Sequence, residues 1–377
     1  MSAILARRPV LRWVAPGAAL AVIIAGSQLA AHWPANAAVS LPPKTAQQLL
    51  VDLQGATPHA LSGTVKATAS LGLPQLPEGM TGADDSASPL GLLSGTHTAK
   101  VWYDGKTSGR IALLGDSAET DLVANSSGLW LWQSSDKSVL HVPGGSLTST
   151  PPRRTGPVHA EPGSRQAITP GMAQQLSTPE GVAAFALRML DPSTQVTTDS
   201  NERIAGRAAY QLVLTPKTSG TTIGSIRIAF DAANFTPLRT EIFAKGAAKP
   251  AVNVGFSSIS YQRPSASVFA FRPPAGASVK TVNPSTKAGH TRPSGFSAPQ
   301  LVGKDWASVL VGKLPAHATS GAAKERDVLR MLPSVSGSWG SGHLLSTSLV
   351  NVVLTDDGRY AIGAVPAASL YAALGRG

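Results

Sequence analysis

The chain has no cysteine. That absence excludes disulfides, zinc–thiolate sites, iron–sulfur clusters, thiol nucleophiles and a lipid-modified N-terminal cysteine. Charged residues are sparse at 14% and aromatics at 5%, and no long run of one sign occurs. The eight histidines (32, 59, 97, 141, 159, 290, 317 and 343) fall singly, without a histidine or carboxylate partner at helical spacing. His97 and His141 lie on predicted strands that could bring them together, but locally bonded strand histidines are the simpler reading than a metal site. There is no H-E-x-x-H, phosphate-binding loop, G-x-G-x-x-G or G-x-S-x-G. Asp84-Asp85 and Asp356-Asp357 read as turn acids. Neither an enzyme nor a cofactor is expected.

The 377 residues suffice for more than one domain, and the net charge is +11. Basic residues are scattered, and no segment reads as a recognition helix. A solvated basic surface, or attraction to an anionic membrane surface, therefore explains the charge without nucleic acid as a partner. The N-terminus carries Arg7, Arg8 and Arg12, then an uncharged apolar run from Trp13 to Ala31. Ala35-Asn36-Ala37 supplies a small-residue cleavage site. The segment reads as a cleaved signal peptide or as an uncleaved membrane anchor. Either way the positive flank puts the remainder outside the cytoplasm. The arginine pair leaves the general and the twin-arginine export routes both open.

Thr45 reads as the N-cap of a helix carrying Leu49, Leu50 and Leu53 on one face and stopping at Gly55. Residues 61–71 alternate as an amphipathic strand. Residues 72–95 form a Pro/Gly-rich loop with Leu73, Leu76, Met80, Leu90, Leu92 and Leu93. These apolar residues suit a lid over an apolar opening, or a loop folded over the core edge.

A meander follows over 96–103, 108–114, 120–124, 129–133 and 138–142, its turns marked by Asp104-Gly105, Asn125–Gly128 and Ser134–Lys137. A helix capped by Thr178 carries Val182, Phe185, Ala186, Met189 and Leu190 and ends at Asp191-Pro192. A second meander spans 194–204, 208–215, 223–231, 236–244 and 252–262, closing with "SVFAFRPPAGASV" at 267–279. Residues 280–298 read as a linker. Beyond it, helices are expected over 303–311 and 323–331, then a hairpin turning at Asp356-Asp357-Gly358 and a last helix over 366–374.

One stretch breaks the alternation. In "SSGLWLWQSSDKSVLHV", Ser126–Val142, Leu129 and Leu131 face one way and Trp130 and Trp132 the other. Both faces of the strand are apolar, so each needs a cover.

The elements in order, with "SGLWLWQSSDKSVLHV", "ERIAGRAAYQLVLTP", "IRIAFDAANFTPLRTEIF" and "FAFRPPAG", resemble the LolA-like superfamily of lipoprotein and lipid carriers, which includes RseB/MucB-type regulators. Within it the chain resembles an exported, actinobacterial-type member with a C-terminal extension. The resemblance implies an α+β fold: a strongly curved antiparallel half-barrel of about eleven strands, helices covering its concave face, and an apolar cavity for acyl chains. Residues 1–38 would be the targeting segment, 39–279 the half-barrel and 299–377 a small C-terminal α+β unit with a β-hairpin. The implied partner is a lipid or acylated lipoprotein. A membrane protein is the alternative, as for an envelope-stress regulator that binds an anti-sigma factor. Expected cavity residues are Trp130, Trp132, Val101, Tyr103, Ile111, Leu113, Leu212, Leu214, Phe185 and Met189, with the tryptophans on the concave side.

Overall fold

A computed structural model describes residues 41–72, 94–115, 118–144, 193–282, 299–314 and 331–376. The expected targeting segment lies outside the described residues. So do the expected apolar loop with Leu73, Leu76, Met80, Leu90, Leu92 and Leu93, the expected helix with Phe185 and Met189, most of the expected linker 280–298, and residues 323–330. No helix among the described residues is long and apolar enough to cross a membrane.

Helix α1, Ala46–Gly55, starts at Thr45 as its sequence predicts. The Thr45 hydroxyl accepts from Gln48 N (3.2 Å), and the Gln48 side chain accepts from Thr45 N (2.8 Å). This reciprocal pair satisfies two amide groups that the first turn leaves open. Leu49 is buried against Tyr210, Leu212 and Phe230, with Leu50 and Leu53 beside it.

Twelve strands form one curved sheet. They are β1 (Leu61–Ser70), β2 (Ser94–Tyr103), β3 (Gly109–Leu114), β4 (Glu119–Asn125), β5 (Gly128–Gln133) and β6 (Ser138–Pro143). Then come β7 (Thr194–Ile204), β8 (Arg207–Pro216), β9 (Ile223–Asp231), β10 (Pro237–Ala244), β11 (Val252–Ser260) and β12 (Ser278–Thr281). Their spatial order is β12-β6-β5-β4-β3-β2-β1-β11-β10-β9-β8-β7. The end strands β12 and β7 do not pair, so the sheet stays open. Every neighbour is antiparallel except β12, which runs parallel to β6. The expected closing segment therefore crosses to the far edge of the first meander instead of extending the second.

A second sheet holds β13 (Gln300–Val302), β14 (Val309–Lys313), β15 (Ser334–Gly337), β16 (Gly340–Ser346), β17 (Asn351–Thr355) and β18 (Arg359–Gly363). Its order is β13-β14-β18-β17-β16-β15, and helix α2, Ala367–Leu374, packs Leu370 and Leu374 on Val309, Val353 and Ala361. The hairpin at Asp356–Gly358 forms as predicted. The helix expected over 303–311 does not. Asp305 has φ +54°, and only Asp305–Ala307 makes a 3₁₀ turn. Val309 and Val311 then alternate as a strand paired with β18, where branched side chains pack well.

The two sheets share a polar and apolar contact. Thr222 N and Thr221 Oγ1 both donate to Ala364 O (2.9 and 2.7 Å), and Ser348 N donates to Leu71 O (2.8 Å). Leu349 is buried there with Ile223 and Ala251, beside Leu71 and Trp306. The Trp306 indole donates to Thr194 Oγ1 (2.7 Å).

Candidate functional site

Residues directly opposite in an antiparallel ladder share a face, so the register carries one face across the whole sheet. Leu212, under α1, pairs with Ile228, then Thr240, Val254 and Ala67. On the same face of β1, Gly63 meets Val101. From there an unbroken row runs Val101–Ile111–Leu122–Leu131–Leu140 over β2 to β6. Beside it run Tyr103–Gly109–Ala124–Leu129–Val142 and Ala99–Leu113–Thr120–Gln133–Ser138. No charged residue stands on this face of β3 to β6. The members of the central row are all half-buried, a part-open apolar patch on the face that α1 covers further along, over β8 and β9.

Of the residues expected to line a cavity, the sheet brings together Val101, Tyr103, Ile111 and Leu113 on this helix-bearing face. Leu113 is buried against Ala99. The Tyr103 hydroxyl donates to Lys106 O (3.0 Å), and burial, with Asp104 nearby, pushes its phenol pKa up. Leu212 shares the face but is core, sealed by Leu49. Leu214 pairs with Val196 at the far end and is half-buried. Leu122, Leu129, Leu131, Leu140 and Val142 complete the patch. Their signal was available in the parity set by the hairpin turns, through Ile111.

The expected set does not stand on one face. The same register puts Trp130 and Trp132 on the opposite face, in the rows Trp102–Arg110–Val123–Trp130–His141 and Lys100–Ala112–Asp121–Trp132–Val139. They cannot line one cavity with Ile111 and Val101. Their cover is the chain's own segment 265–274. Ser265 caps a 3₁₀ turn, Ala266–Phe269, whose Phe269 is buried. Asn125 Nδ2 donates to Phe269 O (2.8 Å), and the Phe271 ring lies 5.4 Å from Trp130. The segment acts as a strap, anchored where β12 joins β6. His97 sits on the helix-bearing face and His141 on the strap face, so these two histidines are not a pair. Among the described residues no group of metal-ligating side chains assembles.

Gly128 fixes this register at the turn. It has φ +130°, and a side chain there would meet Val142 O at 2.3 Å. Only glycine fits both demands.

No protein-family profile matches the chain, and no curated protein does. Solved structures do align. The MucA/MucB complex of Pseudomonas aeruginosa aligns over 87% of this chain and 96% of that chain, at 15% identity and TM-score 0.41. An uncharacterized conserved protein from Thermus thermophilus covers 63% of this chain and 99% of its own, at 11% identity and TM-score 0.35. A LolA superfamily protein from Nitrosomonas europaea covers 61% and 99%, at 13% identity and TM-score 0.22. MucB and LolA are also the names of the superfamily that the sequence motifs resemble.

Proposed function

We propose that this chain holds the acyl chain of a lipid or lipoprotein against the apolar face of β2 to β6, outside the cytoplasm and without catalysing a reaction. The observation that carries the reading is the row Val101–Ile111–Leu122–Leu131–Leu140: five strands in register, uncharged and half-open. An apolar ligand laid along it removes that surface from water, at about 25 cal/mol per Å². The opposite face is a poor alternative for an acyl chain, because Phe271 already packs against Trp130 and the charged Arg110 and Asp121 stand beside Trp132. Residues 39–279 would form the binding unit, and the motif resemblance to lipid carriers points the same way.

The test is direct. Protein purified from its native host is extracted with organic solvent and analysed by mass spectrometry, and the lipid-free protein is titrated with a fluorescent fatty acid. Co-purifying lipid and saturable binding support the reading. Absence of both overturns it. A second reading, a regulatory module that binds a membrane protein, is favoured by the second sheet joined to the first through Leu349 and Ala364. A pull-down with the exported part that recovers no membrane partner counts against it.

A further inference from the structure

Between the strap and the sheet, on the face that acyl binding does not use, lies a cavity of about 380 Å³. Glu119, Asp121, Arg110 and Trp132 form its sheet wall, and Phe271 and Arg272 its strap wall. Arg110 donates Nη2 to Asp121 Oδ2 (2.5 Å) and Nε to Oδ1 (3.4 Å), and its guanidinium lies 5.6 Å from the centre of the Trp102 ring. Asp121 is 4% exposed and has its charge met by this fork. Glu119 is different. Its Oε1 stands 3.9 Å from the Nη2 that already bonds Asp121, too far for a hydrogen bond, and its side chain is 44% exposed. Burial first and the Asp121 charge second push its carboxyl pKa up, which marks an incompletely compensated acceptor. Arg272 is exposed and has no carboxylate within ion-pair distance among the described residues.

The chemistry narrows the occupant. A purely apolar ligand would strip water from Glu119 and Arg110 without replacing its hydrogen bonds. A metal ion would face the Arg110 charge and find only two carboxylates, one already occupied. A ring polyol fits. Each of its hydroxyls both donates and accepts, and Glu119–Arg110–Asp121 presents acceptor, donor and acceptor side by side. The C–H faces of such a ring suit the apolar walls of Trp132 and Phe271. Arg272 remains for a carboxylate or phosphate on the same ligand.

We propose that this cavity binds a sugar-like ring polyol that carries an acidic group. The site is on the face opposite the acyl patch and does not depend on the acyl-binding reading. Such a ligand could be a soluble acidic glycan or the headgroup of a lipid, and the chemistry recognised is the same.

The full chain is tested with glucose, glucuronate and glucose 6-phosphate by saturation-transfer NMR and by tryptophan fluorescence. Expected are binding of the two acidic sugars and weaker binding of glucose. Glu119→Gln keeps shape and is expected to weaken all three about tenfold, the scale of a lost charged hydrogen bond. Arg272→Ala is expected to abolish the preference for the acidic sugars and leave glucose unchanged. Leu131→Asn is expected to change none of them, which separates this site from the acyl patch. Co-sedimentation with vesicles containing phosphatidylinositol, against phosphatidylcholine vesicles, distinguishes a headgroup from a free glycan. No saturation transfer from any of the three sugars overturns the proposal. So does an Arg272→Ala protein that keeps the acidic preference. Urea midpoints near that of the parent confirm that all three variants are folded.

Discussion

Trp130 lies flat against His141, with ring centroids 3.6 Å apart and planes 9° from parallel. Ser127 holds both: its hydroxyl accepts from the Trp130 indole (3.0 Å), and its carbonyl lies 3.2 Å from His141 Nε2. With Phe271 on the strap, this stack closes the outer side of β5. Trp130 therefore packs between sheet and strap, and under the proposed function the leucines next to it face the ligand.

Trp130→Ala is expected to cost about 3 kcal/mol, the low end for truncating a large aromatic because the ring is half-buried. Urea denaturation measures the cost. Fatty-acid affinity is expected to stay the same. Leu131→Asn is expected to do the reverse, with a small change in midpoint and a loss of fatty-acid binding of tenfold or more, about 1.4 kcal/mol for each factor of ten. A Trp130→Ala protein that folds normally and loses binding would sink the assignment of faces.

Gly128→Ala places a methyl group where Val142 O already sits and demands a positive φ. We expect destabilisation of about 2 kcal/mol or more. Gly144→Ala provides the comparison, since its φ is +67° and no neighbour lies within 4 Å of an added Cβ. Equal thermal midpoints for the two variants would remove the close approach as the cause.

Tyr261 donates to Asp231 Oδ2 (2.7 Å), which also accepts from Arg207 Nε (2.7 Å). Burial and then this hydrogen bond push the Tyr261 phenol pKa from 10.0 to about 12. A raised pKa means that the folded state holds the proton more tightly. Its contribution is complete below pH 10 and is lost as the pH rises from 10 to 12. Urea midpoints across this window are expected to fall more steeply for the parent than for Tyr261→Phe, which at pH 7 is less stable by about 1 kcal/mol.

Asp231 predicts the opposite limb. Burial alone would raise its carboxyl pKa, but hydrogen bonds from Arg207, the Ala233 amide and Tyr261, with the Arg207 charge, leave it below the ordinary value. A depressed carboxyl stabilises above the unfolded pKa, and that stability is lost as pH falls through the folded one. Acid unfolding that is unchanged in Asp231→Asn would refute this role.

The contact between the sheets depends on Leu349, which is 5% exposed. Leu349→Ala is expected to cost about 2–5 kcal/mol and to split one thermal transition into two. Calorimetry reads both effects. A single transition with an unchanged midpoint would show that Leu349 does not couple the sheets.

Much of the fold was written locally. Thr45 and Gln48 announce α1. Asp104-Gly105 and Asn125–Gly128 fix the hairpins, and alternation fixes which side chains travel together. What alternation cannot give is the sign of a face. Leu129/Leu131 and Trp130/Trp132 are symmetric until Phe269 and Phe271 arrive from a distant segment to cover one side. The segment after Asp305 failed for a related reason. Val309–Leu310–Val311 suits a short helix or a strand, and only its partner Ala361–Gly363, far along the chain, decides. The apolar row was legible as parity but not as a site, because no single strand contains more than one of its members.

The bond from Asn125 to Phe269 O spans 144 positions of chain. A contact of such separation is entropically slow to form. While the chain is being made, β4 to β6 can complete their hairpins long before the strap exists. In that interval Trp130 and Trp132 stand bare to water, on a sheet whose other face is also apolar. The growing polypeptide is then at its most adhesive, and a chain cut short before Phe269 would be trapped in that condition.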